Sequence, residues 1–403
     1  MVWQRNFWLA LGVIYCGLWG GSTAQPARAA EGISGEKIKF KRTMLDEKFR
    51  SEGVAVGDFN KDGKLDIAAG SVWYAAPDWK MHQVREKAEE HNPHGYSDSF
   101  VNAADDLNGD GWVDLLVVDF PGKPTWWFEN PQNQSGPWKR HECTPVTNNE
   151  SPQYLDLDGD GQREWIMATC DDANNPDGEK RYQAIIKRVA DPLAKWTIQR
   201  LSEYQAPMTT KYSHGIGAGD VNGDGRQDLF VKDGWWEAPA VESSELWKFH
   251  PASFGQDCAH MYAYDVDGDG DSDIINSSAH QIGVWWHEQT PEGWKTHTIS
   301  KDFSQSHSLN LVDMNGDGLK DIVTGKRWWA HGPNGDANPN DPAVVVWFEL
   351  SRENGQAHWK MHHIDHNSGV GTQFEVADIN GDKLPDVIVS NKKGVYLLEQ
   401  IAQ

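Results

Sequence analysis

Asp58-Phe59-Asn60-Lys61-Asp62-Gly63-Lys64-Leu65-Asp66 packs four oxygen-bearing side chains and one glycine into nine residues, then runs straight into the apolar Ile67-Ala68-Ala69. The same grammar, D-x-[DN]-x-D-G-x-x-[DE] between two apolar stretches, recurs with first acids at Asp58, Asp106, Asp156, Asp220, Asp265, Asp313 and Asp378. Successive separations are 48, 50, 64, 45, 48 and 65 residues, the length of a propeller blade with two longer units carrying insertions. After each loop and its strand (residues 65–69, 115–118 and 274–276, for example) comes an aromatic stretch. These are Trp73-Tyr74, Trp126-Trp127-Phe128, Trp235-Trp236, Trp285-Trp286, Trp347-Phe348 and, without tryptophan, Val395-Tyr396-Leu397-Leu398. A tryptophan-led stretch follows, beginning at Trp79, Trp138, Trp196, Trp247, Trp294 or Trp359. Aromatic and β-branched runs punctuated by Gly, Asn, Asp and Pro make an all-β chain, and four strands per unit make a blade.

The expected fold is therefore a seven-bladed β-propeller of four-stranded antiparallel blades, occupying residues 30–403 as one domain. The seventh unit runs out after its third strand, while an unassigned strand at residues 38–45 precedes the first unit. The N-terminal strand is expected to complete the last blade, closing the ring and leaving no free edge. Upstream, Arg5, an apolar stretch from Phe7 to Trp19 and Ala27-Arg28-Ala29 have the layout of a cleaved secretory signal over residues 1–29. The stretch is short of the roughly 20 apolar residues of a spanning helix, so a secreted or periplasmic protein with no membrane insertion is expected.

The formal charge of −23 becomes −25 once Arg5 and Arg28 leave with the leader. Such acidity excludes nucleic acid as a partner, and much of it sits in the repeated loops, where cations would neutralise it. Cys143, Cys170 and Cys258 allow at most one disulfide and form no metal motif.

Each loop offers oxygen donors alone, which suits a hard cation taking six to eight oxygens, hence Ca²⁺ in a structural role. The candidate ligands are Asp58, Asn60, Asp62 and Asp66; Asp106, Asn108, Asp110 and Asp114; Asp156, Asp158, Asp160 and Glu164; and Asp220, Asn222, Asp224 and Asp228. Asp265, Asp267, Asp269 and Asp273; Asp313, Asn315, Asp317 and Asp321; and Asp378, Asn380, Asp382 and Asp386 complete the set. The closing acid falls at position nine and not at position twelve, so these are not EF-hand loops. Lys383 replaces the glycine of the other copies, which makes the seventh loop the weakest. Plain Asx turns without metal are the alternative.

This pattern resembles FG-GAP or VCBS repeats, and the chain from residue 30 resembles the integrin α-subunit type of propeller. The resemblance implies that the loops join the first and second strands of each blade on one face of the disc.

On the opposite face, repeated positions converge at the mouth of the central channel. Six residues before each first acid stand Glu52, Phe100, Glu150, His214, Ala259, His307 and Thr372, and His260 lies one residue further on. His214, His260 and His307, with Glu52 and Glu150, are candidate ligands for Zn²⁺, which takes imidazole and carboxylate and keeps a position open for chemistry. Unrelated loop histidines are the alternative. The histidines of the W-K-x-H stretches, His82, His141, His250, His297 and His362, are expected to pack on outer strands. The layout resembles the propeller of fungal aldos-2-ulose dehydratases, which carries a catalytic zinc, and the carry-over rests on position within the repeat. The cupin and lectin-like parts of those enzymes are missing.

A carbohydrate lyase or dehydratase is the resulting expectation, with His280 as the base that removes an α-proton and Lys326 and Arg327 neutralising developing charge. Insertions at residues 171–178 and 326–342, with Trp328 and Trp329, would wall a cleft for a polyhydroxylated ligand. A non-catalytic module binding a glycan or a protein partner is the second reading, and a hydrolase, for which no carboxylate pair stands out, is the third.

Overall fold

The computed structural model describes residues 34–191, 193–240 and 245–401. The leader expected at residues 1–29 lies outside the described residues. Strands fall into seven separate four-stranded antiparallel sheets. Blade one is Ala55–Gly57, Asp66–Ala69, Val72–Ala75 and Lys80–Gln83, and the next five follow the same order in sequence. Blade seven takes Glu375–Ala377, Asp386–Asn391 and Gly394–Ile401 from the end of the chain and Lys39–Asp46 from its beginning. The register runs from Lys39 opposite Ile401 to Met44 opposite Tyr396. The expected closure of the ring is thus present.

Closure is favoured because the strands it covers have apolar centres. Val387, Ile388, Val389, Val395, Leu397 and Leu398 are fully buried, each burial contributing about 1.5–3 kcal/mol. Asp46, at the end of the closing strand, accepts from Arg50 Nε (2.8 Å) and the Tyr74 hydroxyl (3.0 Å), which ties blade seven to blade one. Blade three departs from the expected aromatic pattern: its third strand is Arg181–Lys187, apolar but with Tyr182 as its one aromatic residue. Cys143, Cys170 and Cys258 are buried and free, so no disulfide links them.

The position-nine acids explain how each blade holds its shape. Asp321 accepts backbone N–H groups from Met314 (2.9 Å) and Leu350 (2.9 Å), one in its own loop and one in the third strand. Asp66, Asp114, Asp228, Asp273 and Asp386 repeat the arrangement at 2.7–3.1 Å. In blade three Glu164 accepts from Leu157 at 3.0 Å. Two otherwise orphaned buried donors are satisfied by one carboxylate, which is why the residue type recurs.

Along the outer strands, imidazoles stack on indoles: Trp73 on His82, Trp127 on His141, Trp235 on His250, Trp286 on His297 and Trp347 on His362, with centroids 4.1–4.6 Å apart. In four of these pairs Nε2 meets a glutamate at 2.6–2.8 Å, Glu129, Glu237, Glu288 or Glu349. These five histidines are packing residues, as their register in the repeat suggests.

The Asp321→Ala variant should lose about 2–4 kcal/mol in urea unfolding, because two buried backbone donors lose their only acceptor. The loss should persist in chelator, since the orphaned amides are the same whatever fills the loop; an unchanged midpoint would refute this account.

Candidate metal centre

The two faces of the disc carry different chemistry because every strand reverses direction. First-to-second strand connections, the acid loops, lie on one face, and the residues entering each first strand lie on the other with the second-to-third connections.

On the acid-loop face the chain pre-arranges its own oxygens. Asp58 accepts from the amides of Asp62 (3.0 Å) and Gly63 (2.9 Å), and Asn60 Oδ1 accepts from Asp62 (2.9 Å). Position six turns through the left-handed region, with φ of 84° at Gly63 and 70° at Lys383, so the seventh loop carries backbone strain that glycine avoids. Two loops bring three carboxylates within 4.8 Å of one another, Asp156 with Asp158 and Glu164, and Asp265 with Asp267 and Asp269. Burial pushes Asp321 up to about 7 and Asp66 up to about 6, against the backbone donors each accepts. Crowded, oxygen-only acids of this kind fit a Ca²⁺ ion, which the FG-GAP resemblance implies.

At the channel mouth, His214, His280 and His307 bring their ring nitrogens within 4.8 Å of one another. The His214 and His280 Nε2 atoms are 3.0 Å apart, and Glu150 Oε2 lies 3.3 Å from His214 Nε2 and 3.2 Å from His307 Nε2. His307 is fully buried, and burial together with the Arg327 charge holds it neutral. Burial opposes ionisation of Glu150, yet its imidazole partners hold it well below the usual carboxylate range. Arg327, 2 % exposed, sits at the centre. Its Nη2 donates to Glu52 Oε2 (2.6 Å), and its Nη1 lies 2.9 Å from His307 Nε2 and 3.4 Å from Glu150 Oε2.

Of the residues expected here, Glu52, Glu150, His214, His307 and Arg327 come together. His280 joins them as a member of the imidazole cluster itself, so the nitrogen facing the cluster is no longer free to serve as the expected base. His260 stays apart. It lines a separate channel chamber of about 300 Å³ with Tyr262, Asn310 and Glu375, where burial pushes it down to about 4. The register explains the difference: Ala259 occupies the position equivalent to His214 and His307, and one residue further on the side chain leaves in another direction. Lys326 is also turned away, its ammonium donating to Ser304 Oγ (2.8 Å) and the Asn338 carbonyl (2.7 Å), and burial pushes it down to about 8. Trp328 and Trp329 stack on each other (3.9 Å) and are half-buried.

Beside the cluster stand residues that the repeat did not point to. His331 and Asp336 come from the long connection in blade six, and Tyr96 comes from the connection between blades one and two. Tyr96 contacts Phe120 (5.6 Å) and Phe120 contacts Tyr212 (5.7 Å), so a file of rings leads away from the mouth. Tyr96 and Tyr212 are exposed.

A family profile described as an FG-GAP-like repeat matches residues 106–167 and 265–324, which run from the acid loops of blades two and five through those of blades three and six. Over these two stretches the propeller is similar to FG-GAP-like repeats. No curated protein matches the chain. Similar solved structures include an Agrocybe aegerita lectin that recognises non-reducing terminal N-acetylglucosamine (14 % identity, TM-score 0.46, covering 91 % of this chain and 86 % of that one). Rhamnogalacturonan lyase YesW is similar at 13 % identity and TM-score 0.41, over 89 % and 72 % of the two chains. The V. cholerae biofilm matrix protein Bap1 is similar at 11 % identity and TM-score 0.36, over 91 % and 84 %.

Removing the guanidinium should be costly, because buried Glu52 would lose its ion-pair partner and Glu150 would keep only its imidazoles. Arg327→Ala should lose about 3–5 kcal/mol of unfolding free energy. A urea midpoint within error of the parent's would show that Glu52 and Glu150 do not depend on it.

Proposed function

We propose that the channel mouth holds a Zn²⁺-class ion on His214, His280 and His307 with Glu150, and that the protein is a carbohydrate lyase or dehydratase. The observation that carries this reading is the convergence of three imidazoles from blades four, five and six, two of which also meet the buried Glu150. Nitrogen-rich, part-buried donors of this kind favour zinc over a hard cation. When bound, the ion would act as a Lewis acid on a sugar carbonyl or carboxylate. Arg327 keeps the second acid, Glu52, neutralised, and the exposed rings of Tyr96 and Tyr212 offer flat apolar faces to a sugar. A leader directing secretion and Ca²⁺ in the acid loops belong to the same reading.

One observation favours a second reading. Arg327 already meets His307 and both acids, so the network is hydrogen-bonded as it stands, as it would be in a non-catalytic glycan- or protein-binding propeller.

Elemental analysis of protein washed in excess Ca²⁺ tests the first reading. One zinc per chain is expected, and none in the His214→Ala/His280→Ala/His307→Ala variant. Zinc absent from the parent, or kept by the triple variant, ends it, and glycan binding without product would then favour the second. Calcium in the acid loops predicts a fall in melting temperature on adding EDTA, which Ca²⁺ should reverse; an unchanged melting temperature would exclude a structural ion.

A further inference from the structure

The connection that begins at Arg327 carries a carboxylate that the proposed metal set does not use. Asp336 has a side chain only 10 % exposed, and it meets two imidazoles and accepts from the His331 amide (3.2 Å). His331 Nδ1 lies 2.9 Å from both Asp336 oxygens, and His280 Nδ1 lies 3.5 Å from Oδ1. The backbone around Asp336 is pinned to blade five. The Ala337 amide donates to the His280 carbonyl (3.1 Å), and the Ala337 carbonyl accepts from Ser304 Oγ and Gln305 Nε2, both at 2.8 Å. Asp336 also holds a φ of 60°, a conformation an L-residue adopts at some cost.

His280 therefore faces two ways. Its Nε2 looks into the cluster toward His214, and its buried Nδ1 has no hydrogen-bond partner among the described residues, with Asp336 just beyond hydrogen-bonding range. Nearby, Glu52 and Glu150 face Arg327, and the Lys392 ammonium is engaged by the Trp329 and Ala330 carbonyls.

We propose that Asp336 is a positioning residue for the metal centre: it accepts a hydrogen bond from His280 Nδ1–H and so holds the ring in the tautomer whose Nε2 lone pair faces His214 and His307. This rests on the metal reading above. An imidazole without such a partner divides between two tautomers and turns about its last torsion. A carboxylate behind it removes both freedoms and makes the ligating nitrogen more basic. Asp336 supports His280 from a different blade, so the blade-six connection, which contributes no ligand, controls the strength of the site.

Zinc affinity tests this, measured by competition with a chromophoric chelator in excess Ca²⁺, together with the visible spectrum of the Co²⁺-loaded protein. Asp336→Ala and Asp336→Asn should bind Zn²⁺ about 10- to 100-fold more weakly than the parent and shift the Co²⁺ bands, with Asp336→Glu recovering part of the loss. His331→Ala should keep one zinc per chain at parental affinity. Should Asp336→Ala fail to fold, the Asn and Glu variants carry the comparison. Equal affinity in the parent and the Asp336 variants overturns the proposal while leaving the metal reading intact. Two zinc ions per chain, falling to one in His331→Ala, would make Asp336 a direct ligand and overturn it as well. A parent that binds no zinc removes both.

Discussion

Pairing of Lys39–Asp46 with Gly394–Ile401 is the constraint on which the rest of the molecule depends. A blade is a local object, but the channel mouth is not. Arg327 and Glu52 are separated by 275 residues, and Gln373 Oε1 reaches the Val54 amide (2.8 Å) across 319. The Ser390 hydroxyl donates to the Ser51 carbonyl (2.9 Å) between blade seven and the entry to blade one. Each of these contacts exists only because the ring is shut, so burial in the last blade is what assembles the polar centre.

A division of labour follows from strand polarity. The position-nine acids are spent on backbone donors inside the blades, where their value is structural and independent of the ring. At the mouth the polar groups meet across blades, and the ion cluster of Arg327, Glu52 and Glu150 carries a desolvation cost that an apolar replacement would avoid. Such an arrangement does little for stability and much for placing groups at one spot. The scaffold supplies rigidity, and the connections, which need not pack, supply the chemistry.

Much of this was legible in the residues alone. Periodicity of the acid loops gives blade number, strand order and ring closure, since each depends on local pattern and on the need to cover an edge. Counting six residues back from each loop finds Glu52, Glu150, His214 and His307 because the repeat places them equivalently. It misplaces His260, one residue out of step, and it says nothing of Asp336 or His331, which lie in a connection with no counterpart in other blades. Lys326 and His280 sit in suitable connections, but whether such a side chain turns into the mouth or away from it depends on partners such as Ser304 and Asn338 that no repeat specifies. The outer-strand histidines read correctly as packing residues because indole and imidazole recur together on adjacent strands.

The clasp that closes the ring also has a mechanical character. Lys39 and Ile401 sit opposite each other at one end of an antiparallel pair, so the described chain enters and leaves the disc at a single point on its rim. Tension applied between those two ends would act along the interstrand hydrogen bonds and open them one rung at a time, as a peel. Pulling from one end against a hold elsewhere on the disc would load the same ladder in shear, with its rungs sharing the force. How the ring is tethered thus decides how easily it opens.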